Sequence, residues 1–171
     1  KALHPSAPGA SAPVPPASAA STAGAATPPI QHPIADATPA RAATAPLPAL
    51  DDSDDNVASE LVALAGSSDL RSLLLSPQLI TRIVATVDTL PRHELGTLML
   101  PLRTPKGSFV TAEADGRTVI GEQNAARYAP YMQIVDNADP QALVAWYVHA
   151  YPLFQQAYRE LGYPNGHFND R

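Results

Sequence analysis

Large apolar side chains are sparse over the first 45 residues and recur with helical spacing from about position 46 onward. Val57, Leu61 and Leu64 fall three and four residues apart, with Ala58 and Ala65 beside them, which predicts a helix ended by Gly66. Ser53 or Asp54 is expected to cap it, and the neighbouring carboxylates favour its positive end. Asp69 is expected to cap a short apolar segment, Leu70 to Leu75. Ser76-Pro77 reads as the next start, with serine as cap and proline in the first turn. Leu79, Ile80, Ile83, Val84, Val87 and Leu90 form its stripe, and Pro91 stops it.

Pro91, Pro101, Pro105 and Gly107 predict an irregular loop over residues 91–107. The period then changes. Phe109 to Ala114 and Arg117 to Ile120 flank Asp115-Gly116, a good two-residue hairpin turn, with Ala112 facing Val119 and Thr111 facing Ile120. A lone hairpin is marginal, so it is expected to lean on helices. Gln123 to Asn137 reads as a helix with Ala126, Tyr131, Ile134 and Val135 available for burial, starting late or bending at Pro130. Asp139-Pro140 starts another. Leu143, Val144, Tyr147, Tyr151, Phe154, Tyr158 and Leu161 run down one side of it, widened by Trp146 and Val148. Pro152 is expected to kink or break it near His149, and Gly162 closes it. The last residues, 164–171, read as a turn followed by a helix cap, so the chain looks cut there.

Composition separates the two regions further. Of the 171 residues, 19 are proline, and 11 of these fall with 17 alanines in the first 50 positions. Such a segment has too little apolar surface to offset ordering entropy. Residues 1–45 are therefore expected to be a disordered Pro/Ala-rich linker with polyproline II bias, and residues 46–171 one mostly helical domain. Fully extended, the linker spans about 150 Å, and as a flexible coil about 40 Å. Pro13-Val14-Pro15-Pro16 within it is the one segment with the look of a docking site for Pro-binding modules, without a flanking cation.

The net charge is −5, and the linker carries only Lys1, Arg41 and Asp36, so the acidic surplus sits in the folded part. That disfavours nucleic acid. No cysteine is present, which excludes disulfides, thiolate metal sites and a cysteine nucleophile. The acidic run 51–55 lacks the glycine and glutamate of a calcium loop. The five histidines, His4, His32, His93, His149 and His167, show no ligand spacing, so neither a metal nor a cofactor is expected. No serine elbow, phosphate loop or dinucleotide fingerprint occurs. Glu160 and Asp170 flank the Gly162–Gly166 turn and are the one candidate carboxylate pair for acid–base work. Tyr147, Tyr151, Tyr158 and Tyr163 with Trp146 and Phe154 form the densest aromatic cluster, which reads as core or as a groove for a peptide or glycan.

Three stretches carry a resemblance: Pro46-Leu47-Pro48-x-Leu50-Asp51-Asp52-Ser53-Asp54, Arg82-x-Val84-Ala85-Thr86-Val87-Asp88-x-Leu90-Pro91, and Tyr151-Pro152-Leu153-Phe154-Gln155 through Phe168-Asn169-Asp170-Arg171. Together they are similar to the bacterial domain of unknown function numbered 3014, over residues 46–171. The resemblance implies an inner-membrane anchor ahead of the linker, a domain on the periplasmic side and further chain after Arg171. It carries no catalytic residue.

The expected fold is mainly α with one β-hairpin (α+β), behind the linker and truncated at both ends. The expected function is a non-catalytic cell-envelope module that binds a protein or cell-wall glycan partner. Its expected surface is Tyr151, Tyr158, Arg159, Tyr163, Phe168, Asn169, Asp170 and Arg171. The alternatives are an envelope hydrolase using Glu160 and Asp170, and a cytoplasmic interaction domain.

Overall fold

The computed structural model describes residues 29–34, 46–93, 96 and 99–171. Apart from residues 29–34, the expected linker lies outside the described residues, and Pro13–Pro16 with it. Five helices and one antiparallel hairpin follow among the described residues. They are α1 (Asp54–Ala65), α2 (Asp69–Leu73), α3 (Leu79–Thr89), β1 (Thr111–Ala114), β2 (Arg117–Ile120), α4 (Gln123–Asn137) and α5 (Pro140–Glu160). The chain is mainly α with one hairpin, as its periodicity predicts.

The core forms where α3 crosses α5 and α1 leans on α3. Leu79, Ile80 and Val84 of α3 meet Val57 and Ala58 of α1 and Ala150, Leu153, Phe154, Ala157 and Tyr158 of α5. The α3 stripe is as expected except at its end, where Leu90 is exposed. On α5 the buried face is narrower than the apolar side. Leu143, Val144 and Leu161 stay exposed, while the small Ala150 and Ala157 admit the close approach of α3.

The expected caps are redistributed. The Ser53 hydroxyl donates back to the Leu50 carbonyl (2.7 Å) rather than capping α1. The Asp54 carboxylate instead accepts from the Gln78 and Leu79 amides, each at 2.7 Å, so the first residue of α1 caps α3. Ser76 does not cap α3, because α3 begins only at Leu79 and Gln78 takes the N-cap position. Ser68, not Asp69, precedes α2, and the Ser67 hydroxyl accepts from the Asp69 amide.

Neither internal proline breaks its helix: α4 passes through Pro130 and α5 through Pro152, with His149 inside α5. A missing rung costs about 3 kcal/mol, and on α5 the buried Ala150, Leu153 and Phe154 on either side of Pro152 offset that loss. The start of α5 is as expected, with the Asp139 carboxylate accepting from the Gln141 amide.

The hairpin has the expected register, Ala112 opposite Val119 and Thr111 opposite Ile120. Both turn residues, Asp115 (φ 51°) and Gly116 (φ 71°), take the positive φ such a turn needs. The expected burial against helices does not occur: every residue of both strands is exposed. One buried side chain holds the hairpin instead. Asn124 of α4 donates to the Val110 and Gly121 carbonyls and accepts from the Val110 amide. On α4, Asn124 is the buried residue, whereas Val135 and Ala126 face outward.

Candidate functional site

The third resemblance stretch folds back on its own helix. Gln155, buried on α5, donates to the Gly166 carbonyl (2.9 Å) and accepts from the Phe168 amide (3.0 Å) and the Tyr151 hydroxyl (2.9 Å). Phe168 thereby stacks on Phe154, ring centroids 5.6 Å apart, and Tyr163 on Tyr158 at 4.5 Å. Gly166 is needed for this approach. A Cβ there would lie 3.0 Å from the Tyr158 ring and 3.3 Å from Tyr163 Cβ.

The second and third stretches meet at Asp88, a carboxylate 3 % exposed at the end of α3. Arg171 donates from Nε to its carboxylate (2.8 Å) and from an Nη to its backbone carbonyl (2.7 Å). Arg92 donates at 2.6 Å and the Tyr163 hydroxyl at 3.2 Å. The three contacts to the carboxylate use the charge of Asp88 to tie chain segments together. No buried side-chain polar atom among the described residues lacks a partner.

The eight expected surface residues therefore separate. Tyr158 and Phe168 are core. Tyr163 covers Tyr158 and joins the Asp88 cluster, as does Arg171. Tyr151 is half-buried on Gln155, and Arg159 is exposed on the last turn of α5. Asn169 accepts from the Tyr147 hydroxyl (3.1 Å) and donates to the His32 carbonyl. Asp170 accepts from the amides of Gln31 (3.0 Å) and His32 (2.7 Å). Gln31 and His32 of the proline-rich arm thus lie against Asn169 and Asp170.

Desolvation raises the Asp170 carboxyl. The two amide hydrogen bonds and the nearby His167 and His32 outweigh it and hold the group below the usual carboxylate range. A general acid needs the opposite shift. Glu160 lies on the exposed end of α5 and accepts from Gln156. Three phenols move upward. Burial, then the neighbouring Tyr151, pushes Tyr147 to about 12. Burial chiefly raises Tyr151 and Tyr158 as well. None is a ready base near neutral pH.

Beside this cluster, residues of α3 and α5 line an open groove of about 500 Å³. Ile83 and Val87 form one wall, and Leu143, Val144, Trp146 and Tyr147 the other. Phe154 and Phe168 contribute apolar surface to the lining, and Asn169 and Arg171 add polar groups. Trp146 is held by donating from its indole nitrogen to Glu60 of α1 (2.6 Å). Leu143 and Val144 are 42 % and 49 % exposed, a large apolar surface for neighbouring positions. Sequence spacing placed these side chains on one helix. It did not reveal which would stay open, nor did it single out Asp88, Gln155 or Asn124.

No three His, Asp or Glu residues gather as a metal site among the described residues. No described helix is long and apolar enough to cross a membrane. A family model described as a protein of unknown function, DUF3014, matches residues 79–171. The matched span contains the second and third resemblance stretches and leaves the first, 46–54, outside it. Neither a curated protein nor a solved structure matches the chain.

Proposed function

The chain belongs to the DUF3014 family of proteins of unknown function, and on that premise we propose that it is a non-catalytic binding module whose α3–α5 groove takes an apolar segment of a partner protein. The observation that carries this reading is the groove itself. Its walls are aliphatic and aromatic, its mouth is open, and Asn169 and Arg171 supply polar contacts at its lining. Protein-binding surfaces share that design, an apolar centre with a polar rim. A glycan would call for more hydrogen-bonding groups than the lining offers. The Pro/Ala composition of the arm and the family resemblance support a tether that leaves the domain on the periplasmic side of a bacterial inner membrane.

A photo-crosslinking residue placed at Val144 of the full-length protein in its native cell tests the groove. The expected result is a discrete adduct that Leu143→Asp abolishes and Arg159→Ala leaves intact. An adduct insensitive to Leu143→Asp, or none, removes the groove as a binding surface. A topology reporter at the C-terminus of the full-length protein tests location, and activity only in the cytoplasm ends the periplasmic reading.

A further inference from the structure

A second cavity, of about 670 Å³, opens between α2, the 101–106 segment and α4, and shares no lining residue with the α3–α5 groove. Leu73, Ala126, Pro130 and Tyr131 contribute apolar surface to its lining. Arg103, Lys106 and Arg127 bring three cations to it, against the single carboxylate of Asp69. In a chain of net charge −5, that local excess of positive charge is a feature to be explained.

The cleft is assembled by specific contacts. Leu74 bridges Leu102 in antiparallel fashion, with the Leu75 amide donating to the Pro101 carbonyl (2.8 Å) and the Arg103 amide to the Leu73 carbonyl (2.8 Å). From α4, the Tyr131 hydroxyl donates to the Arg103 carbonyl (2.6 Å). Arg127, half-buried, donates from Nε to the Lys106 carbonyl (3.1 Å) and from its Nη atoms to Asn124 (3.2 Å) and the Pro105 carbonyl (3.5 Å). Arg103 spends only its Nε, on the Ser72 carbonyl (3.1 Å). The Arg103 terminal nitrogens and the Lys106 ammonium have no hydrogen-bond or ion-pair partner among the described residues.

We infer that this cleft binds a small organic anion, its acidic group held by Arg103, Lys106 and Arg127 and its apolar body resting on Leu73, Pro130 and Tyr131. Oriented guanidinium groups suit carboxylate and phosphate oxygens. The volume fits a compact ligand. A nucleic-acid backbone would ask instead for a long track of cations.

Titration of the full chain with phenylphosphonate, followed by NMR at the Arg103 and Arg127 Nε resonances, tests the site. Benzyl alcohol serves as the neutral probe and inorganic phosphate as the bare anion. Expected are saturable shifts with phenylphosphonate, weaker binding of phosphate, and no saturation with benzyl alcohol. Lys106→Glu, whose side chain holds no structural contact, is expected to weaken phenylphosphonate binding at least tenfold with an unchanged melting temperature. Arg159→Ala should leave it unchanged. Absence of saturation, equal binding of benzyl alcohol, phosphate binding as tight as phenylphosphonate, or full binding by Lys106→Glu each overturns the assignment.

Discussion

At the scale of single residues, Asp88 shows how one charge is made structural. Its carboxylate is nearly without solvent and is shared by Arg92, Arg171 and Tyr163. Asp88→Ala removes every one of these hydrogen bonds, leaving Arg171 its bond to the backbone carbonyl of residue 88 and Arg92 its bond to the Tyr163 hydroxyl. Arg92 and Arg171 keep partial solvent access, at 53 % and 32 % side-chain exposure, which moderates the loss. The expected cost is about 2 kcal/mol in urea unfolding. A change within experimental error would remove Asp88 as the tie between α3 and the C-terminal turn. Asp170 makes a different point, because its carboxyl is held below the usual range by the arm's amides. A depressed carboxyl contributes its stabilisation above its unfolded value and loses it as pH falls through the folded value. The hydrogen bonds of Gln31 and His32 to Asp170 are therefore expected to be intact at neutral pH and to be lost only as the pH falls below the ordinary carboxylate range and Asp170 protonates. The Gln31 and His32 amide resonances report this directly. Constant shifts down to pH 2 would show that the carboxylate does not hold the arm.

Among elements, two connections run through one side chain each. Asp54 opens α1 yet satisfies the exposed amides at the start of α3. Asp54→Ala is expected to cost about 1 kcal/mol and to speed hydrogen exchange at Gln78 and Leu79, while Asp55→Ala leaves both unchanged. Equal exchange in the two variants would contradict a cap from α1. Asn124 does for the hairpin what burial does for the helices. Because its amide is buried and makes three hydrogen bonds to residues 110 and 121, Asn124→Ala is expected to cost about 2 kcal/mol and to free Val110 and Gly121 for exchange. If the strand amides stay protected in that variant, the hairpin has another support. Such caps and anchors escape sequence inspection for a plain reason. Ser76-Pro77 and Ser53 have the right composition for caps, but only the packed chain decides which oxygen lies within 3 Å of which amide.

For the whole molecule, the buried apolar core among the described residues runs from Leu50 to Phe168. A chain beginning at residue 46 is therefore expected to unfold in one cooperative transition, within a few degrees of the longer protein, because the described residues 29–34 add no side chain to the buried core and their hydrogen bonds to the rest lie at exposed positions. A broad or absent transition would show that the arm is part of the fold. Periodicity, proline placement and the Asp115-Gly116 turn sufficed to locate four of the described helices, the hairpin and its register, since these depend on residues close together in the chain, whereas α2 read only as a short apolar segment. The stacked aromatic turn was foreshadowed as a cluster, without its geometry. Local pattern could not decide which side of α5 would be covered. Leu143 and Val144 lie on the same apolar side of α5 as residues further along, yet stay exposed at the groove. Nor could it show that Asp88 and Arg171 meet, or that Arg103, Lys106 and Arg127 share a cleft. Those placements follow from how the helices cross, and helix crossing is set by long-range contacts between side-chain surfaces, which spacing along the chain does not encode.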